Sequence, residues 1–247
     1  MHLVSNNNVL TMQQSIPKTG LILPSMISSN DENIEIITIL AKVLERLIEV
    51  NSNNFNNQQD FIAKFQCSYA PDVSILAYLE RIRKYSNCSD CCFIVALIYI
   101  DRIIEKRNVI LTQLNIHRLL LTCVLLAAKF FDDLFYNNAF YAKLGGITTN
   151  ELNSLEIEML KLINFSLSVN RDSYDHYCYE LQRFANTLNA NKLMLNTISD
   201  DEENQVLQSP VSVTHSTNEA MGGVRPVKLN DYWSNAVPNI IAGFVSC

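Results

Sequence analysis

From about residue 33 to about residue 187, apolar side chains recur at three- and four-residue spacing, the period of helices with one buried face. The spacing predicts a first helix over about 33–50, with Ile36 or Ile37, Leu40, Leu44, Leu47 and Ile48 inward and the Asn-rich run Asn51 to Asn57 behind it. Phe61 and Phe65 fit one short turn before Pro71. A second helix over about 73–86 places Ile75, Tyr78, Leu79, Ile82 and Tyr85 on one side. Ser89 and Asp90 open a third, over about 89–106, and Lys106 and Arg107 close it where cations suit the helix dipole. The stretch 113–131 is apolar all round from Leu119 to Ala128, as befits a helix at the centre of a bundle.

Downstream, a short helix over 138–144 leads to Gly145 and Gly146, suited to a left-handed stop. Thr148 and Glu151 then form a capping box, with Ile147 and Leu152 at the hydrophobic-staple positions, at the head of a helix from 149 to about 163. Tyr174, Tyr177, Leu181, Phe184 and Leu188 define a last helix over about 173–187. The expected fold is all-α: a bundle of about five main helices plus short ones, with 113–131 as its hub.

Breakers and charge set the limits of this domain. Of twelve Gly and Pro residues, only Pro71, Gly145 and Gly146 fall between Asp31 and Asn186, too few for the turns of an antiparallel β domain. Residues 1–30 and 188–247 have the composition of flexible extensions around a 31–187 domain, the second of them acidic. The net charge of −6 divides as +1, −4 and −3 over these three segments. Nucleic-acid affinity rests on clustered cations, so no nucleic acid partner is expected.

No run reaches the roughly 18 residues of a membrane-spanning helix, and no basic segment followed by an apolar run opens the chain. An intracellular protein, off the membrane, is expected. Its seven Cys are read as free thiols.

The chemistry-bearing residues do not assemble into an active site. No glycine-rich phosphate loop is present. Cys88-Ser89-Asp90-Cys91-Cys92 contains a C-x-x-C, but zinc needs two more ligands, and Cys67, Cys123 and His117 lie apart in sequence; no metal and no cofactor are expected. His117-Arg118 reads as the polar edge of a bundle helix, and Asp101-Arg102 as part of a half-buried ion-pair network.

Tyr99-Ile100-Asp101-Arg102, Ala127-Ala128-Lys129-Phe130 followed by Asp132-Asp133, and Leu155-Glu156 occur in an order that resembles a cyclin box. The resemblance covers about 33–186 and is closer to single-box cyclins of the P and U types and the fungal phosphate-response cyclins. Tyr78-Leu79-Glu80-Arg81-Ile82, His117 to Thr122, Asn138 to Gly146 and Glu151-Leu152-Asn153 extend it. It implies a non-catalytic, activating subunit of a cyclin-dependent protein kinase. Lys129 and Glu156 match the lysine and glutamate with which cyclins contact the kinase near its regulatory helix, and Asp132 and Asp133 would lie beside its activation segment. The M-R-A-I-L docking patch of two-box cyclins is replaced by Pro71-Asp72-Val73-Ser74-Ile75, and the residues after 187 are too few and too polar for a second box.

The alternative is a cyclin-like helical adaptor, or a binding module like the general transcription factors with cyclin-like repeats, without kinase activation. In the tail, Ser199 begins an acidophilic-kinase pattern and Ser209-Pro210 is a proline-directed one. Asp231-Tyr232-Trp233 with Ile240, Ile241 and Phe244 is apolar enough to dock on the domain or on a partner, or to stay free.

Overall fold

Helices α1 (Ile36–Ser52), α2 (Ile75–Ser86), α3 (Asp90–Arg107), α4 (Ile116–Phe131), α5 (Asn138–Gly145), α6 (Thr149–Leu162) and α7 (Arg171–Ser199) follow one another along the chain. The structure, a computed structural model, describes residues 9–11, 36–52, 60–199 and 229. A 3-10 turn, Asp60–Phe65, stands where the short Phe61–Phe65 turn was expected. One extended pairing is present among the described residues: β1 (Val9–Thr11) runs antiparallel to β2 (Leu134–Tyr136), with Leu10 opposite Phe135. The all-α expectation holds, with that ribbon added from the amino-terminal arm.

Every residue from Leu119 to Ala128 is buried, so α4 has no outward face and must be enclosed. α3 is its main neighbour, with α2, α5 and α6 packed around it. α3 is itself buried continuously from Cys92 to Asp101. α2 departs from the expected face in one position: Tyr85 is half exposed and Ser86 takes the buried site, one helical turn beyond Ile82. The spacing 75, 79, 82, 86 keeps one stripe inward, and 85 falls off it.

Local stops decide where the helices turn. Asn87 and Asn108 close α2 and α3 in the left-handed conformation, which Asn tolerates better than most residues. Gly146 does the same for α5 at φ 70°. Gly145 serves differently, because a Cβ there would stand 2.2 Å from the Leu121 side chain. The capping box is half formed: Thr148 Oγ1 accepts the Glu151 N–H at 3.1 Å, while the Glu151 carboxylate turns to Arg118.

The Asp101-Arg102 pair divides its work between two neighbours. Asp101 accepts the Tyr177 hydroxyl, from α7, and the Leu229 N–H at 3.3 Å. Arg102 donates to the carbonyls of Ser166 (2.6 Å) and Ser168 (2.8 Å) on the α6–α7 connection. α7 carries on to Ser199 instead of ending near 187. Leu229, from beyond 187, is fully buried and belongs to the core. Ser209 and the Asp231 to Phe244 positions lie outside the described residues.

His117 is buried, its Nε2 bonded to the Val73 carbonyl at 2.9 Å and its Nδ1 without a partner. Burial holds its pKa below the usual imidazole value, against the Val73 hydrogen bond and with help from nearby Arg81. A lowered folded pKa means that this contribution to stability is whole above about pH 6.5 and is lost as pH falls through the folded value. The melting temperature of the wild type should therefore drop more between about pH 7 and about pH 5 than that of His117→Gln; parallel curves would contradict this. Thr148→Ala should cost about 1 kcal/mol in urea unfolding, the worth of a helix cap.

Candidate partner-binding site

At its carboxyl end α4 leaves the core. Asp132 turns to extended backbone (φ −88°, ψ 145°) while its N–H still reaches the Ala128 carbonyl. Lys129, in the last turn, suits the negative end of the helix dipole. Its Nζ lies 2.5 Å from Glu156 Oε1 on α6, with side chains 29% and 16% exposed. The other Glu156 oxygen accepts Asn138 Nδ2 at 2.7 Å, and the same amide nitrogen donates to Asn153 Oδ1 at 2.7 Å. One network thus joins the end of α4, the start of α5 and the middle of α6. A pair shielded to this degree and further hydrogen-bonded is held in place, unlike an exposed surface pair.

Asp132 and Asp133 part ways. The Asp132 carboxylate faces the start of α3, where Oδ2 accepts the Ser89 N–H at 3.0 Å and Oδ1 accepts the Ser89 hydroxyl. Ser89 is the N-cap of α3, yet it makes no side-chain cap bond of its own. Its hydroxyl is spent on Asp132, 43 residues further along the chain. Asp133 is exposed. The structure therefore brings Lys129 and Glu156 together, sets Asp133 outward beyond them, and gives Asp132 the task of holding the segment against α3.

Three large apolar side chains next to these residues in sequence have exposed surface. Phe130 is 40% exposed, Leu134 60% and Ile157 54%. Sequence reasoning did not single them out. Ile157 was findable, because it falls off the 152, 155, 159 stripe of α6. Phe130 was not, since a helix apolar on all sides gives no phase from which to say where its last turn points. Exposed apolar groups beside a pre-set charge pair have the make-up of a protein-binding surface.

A second polar region lies at the other end of α4. Arg118 pairs with Glu151 at 2.5 Å and donates to the Gln66 carbonyl and Cys67 Sγ, tying the 3-10 turn to α4 and α6. Beside it is a cleft of about 340 Å³ lined by Tyr69, Tyr78, Arg81 and His117. In the Pro71 to Ile75 stretch that borders this cleft, Ser74 caps α2, Ile75 is buried and the Val73 carbonyl meets His117. Among the described residues, no helix is long and apolar enough to cross a membrane.

Comparison with known proteins agrees with this architecture. The family model described as "Cyclin" matches residues 22–167. Cyclin-P3-1 of Oryza sativa is 41% identical over 173 residues, covering 69% of this chain and 73% of that one. Cyclin-U4-2 of Arabidopsis thaliana is 48% identical over 152 residues, 60% of this chain and 70% of its own length. Cyclin-U1-1 of the same plant is 37% identical over 185 residues, 73% and 86% of the two chains. The matched span runs from before α1 to just past α6 and includes both the Lys129–Glu156 pair and the enclosed helix α4. The chain belongs to the cyclin family.

Proposed function

We propose that this protein activates a cyclin-dependent protein kinase by presenting Lys129, Glu156 and Asp133, together with Phe130, Leu134 and Ile157, to the kinase regulatory helix and activation segment. Membership of the cyclin family implies a regulatory subunit of such a kinase, and the family is typically non-catalytic. The observation that carries the finer reading is the Lys129–Glu156 pair, fixed by Asn138 and bordered by exposed apolar side chains.

A kinase of this type needs the glutamate of its regulatory helix swung in to pair with the ATP-binding lysine. A partner achieves this only by binding the active arrangement better than the inactive one. Lys129 and Glu156 present opposite charges in a fixed order, so they orient the incoming helix, and the apolar neighbours supply area to bury. Asp133, on the extended segment, is placed to meet cationic side chains of the activation segment. Asp132, bonded to Ser89, keeps that segment in shape. Action inside the cell accompanies this reading, and Ser199, the last residue of α7, and Ser209 are the candidate phosphorylation sites.

The test is affinity capture of the full-length protein from its own cells, with kinase identification and a phosphotransfer assay. In the charge swap Lys129→Glu with Glu156→Lys the pair can re-form within the protein, so the fold survives while the polarity offered to the partner is reversed. Wild type should capture an active cyclin-dependent kinase, and the swap should lower that capture by about tenfold or more, some 1.4 kcal/mol. A folded wild type that captures no kinase would make this chain a cyclin-like helical adaptor instead. Asp133→Asn should keep the kinase bound but reduce its activity; unchanged activity would remove Asp133 from the mechanism.

A further inference from the structure

At the junction of α2, α3 and α4 the chain gathers more sulfur than packing requires. Cys91 Sγ, Cys92 Sγ and a carboxylate oxygen of Asp132 all lie within 4.8 Å of one another. Cys88, four residues before Cys92, accepts the Ser86 hydroxyl at 3.1 Å. Cys92 Sγ stands 3.3 Å from Asp132 Oδ2. The C-x-x-C-C run alone offers too few ligands in sequence; the missing one comes from Asp132, which the end of α4 delivers.

We propose that Cys91, Cys92 and Asp132, with Cys88 completing the set, bind a zinc ion that clamps the start of α3 to the end of α4. Tetrahedral zinc holds sulfur at about 2.3 Å and carboxylate oxygen at about 2.0 Å, which sets the donors about 3.8 Å (S···S) and 3.5 Å (S···O) apart. The 3.3 Å between Cys92 Sγ and Asp132 Oδ2 is already close to that spacing, and Cys91 lies within 4.8 Å of both. On binding, the metal takes the place of the proton between Cys92 and Oδ2, and each ligating thiol releases its proton to solvent. Three sulfurs and one carboxylate are a donor set for zinc; magnesium and calcium take oxygen ligands.

The surroundings are those of a supported site. The Ser89 hydroxyl donates to Asp132 Oδ1, which fixes the carboxylate and leaves Oδ2 toward the sulfurs. That hydroxyl also lies 3.0 Å from Cys91 Sγ, and Ser86 Oγ donates to Cys88 Sγ at 3.1 Å. Such outer hydrogen bonds orient metal ligands. The amino-terminal end of α3, bearing partial positive charge, favours the anionic thiolates. None of this depends on the kinase reading.

Full-length protein purified without chelator should carry about one zinc per chain by elemental analysis, and chelation should lower its melting temperature. Cobalt(II) added to the chelated protein should give the sulfur-to-cobalt charge-transfer band and the intense visible bands of a tetrahedral thiolate site. Both should disappear in Cys91→Ser with Cys92→Ser, and persist in Cys67→Ser. The proposal fails if folded wild type contains essentially no zinc and gives no thiolate band with cobalt. It fails equally if those bands survive undiminished in the double variant. Because wild type alone decides the first point, a double variant that does not fold leaves the test intact.

Discussion

An apolar helix with no outward face must be surrounded, and that requirement on α4 arranges the rest of the molecule. Ten consecutive buried residues, Leu119 to Ala128, cannot be covered by one neighbour, so α3 packs along them and α2, α5 and α6 close the remaining sides. Close packing enforces the arrangement down to single atoms. Gly145 approaches Leu121 where even a methyl group would collide, and Tyr141, Leu155 and Met159 come to the same centre fully buried.

The enclosure also explains where the polar chemistry collects. A helix sheathed along its length can offer polar groups only at its ends, and α4 does so at both. His117 and Arg118 at the amino end are bound to Val73, Glu151 and the 3-10 turn. At the carboxyl end Lys129 and Asp132 are bound to α6 and α3, while Phe130 and Asp133 face out. One end is thus mostly consumed in joining the bundle together, and the other carries exposed apolar surface as well. The start of α3 belongs to that second end through Ser89 and Asp132.

Much of this was legible in the sequence. The three- and four-residue spacing located the helices, and the unbroken apolar run identified the central one. Thr148 announced its helix by the residue types around it. Periodicity carries phase only while a helix has two unlike faces, which is why the exposure of Phe130 could not be read from it. Tyr85 misled because an aromatic residue one position off the stripe looks like part of it. Glu151 was read as a capping partner for Thr148, but a half-buried arginine outcompeted the local backbone for its carboxylate. The family resemblance named Lys129 and Glu156 as kinase contacts, but nothing in the sequence pairs them with each other, since 27 residues separate the two and no local rule connects them. The Ser89–Asp132 link is of the same kind, formed only once α3 and α4 lie side by side. α7 passed 187 because its apolar residues fade before its backbone stops being helical.

The α6–α7 connection places two residues with side chains, Asn164 and Phe165, in the left-handed region at φ 54° and 56°, a conformation that costs roughly 1–2 kcal/mol for such a residue. Two side chains of α3 steady the stretch just beyond them: the Tyr99 hydroxyl donates to the Leu167 carbonyl at 2.7 Å, and Arg102 spans the carbonyls of Ser166 and Ser168 at once. A flat fork of fixed donors can do this, whereas a lysine's single ammonium is a point charge that would not reproduce the planar grip. The identity of residue 102 is therefore dictated by shape more than by sign. Its position on the buried helix α3 makes the strained turn an extension of the core, so the direction in which α7 sets out is fixed from within.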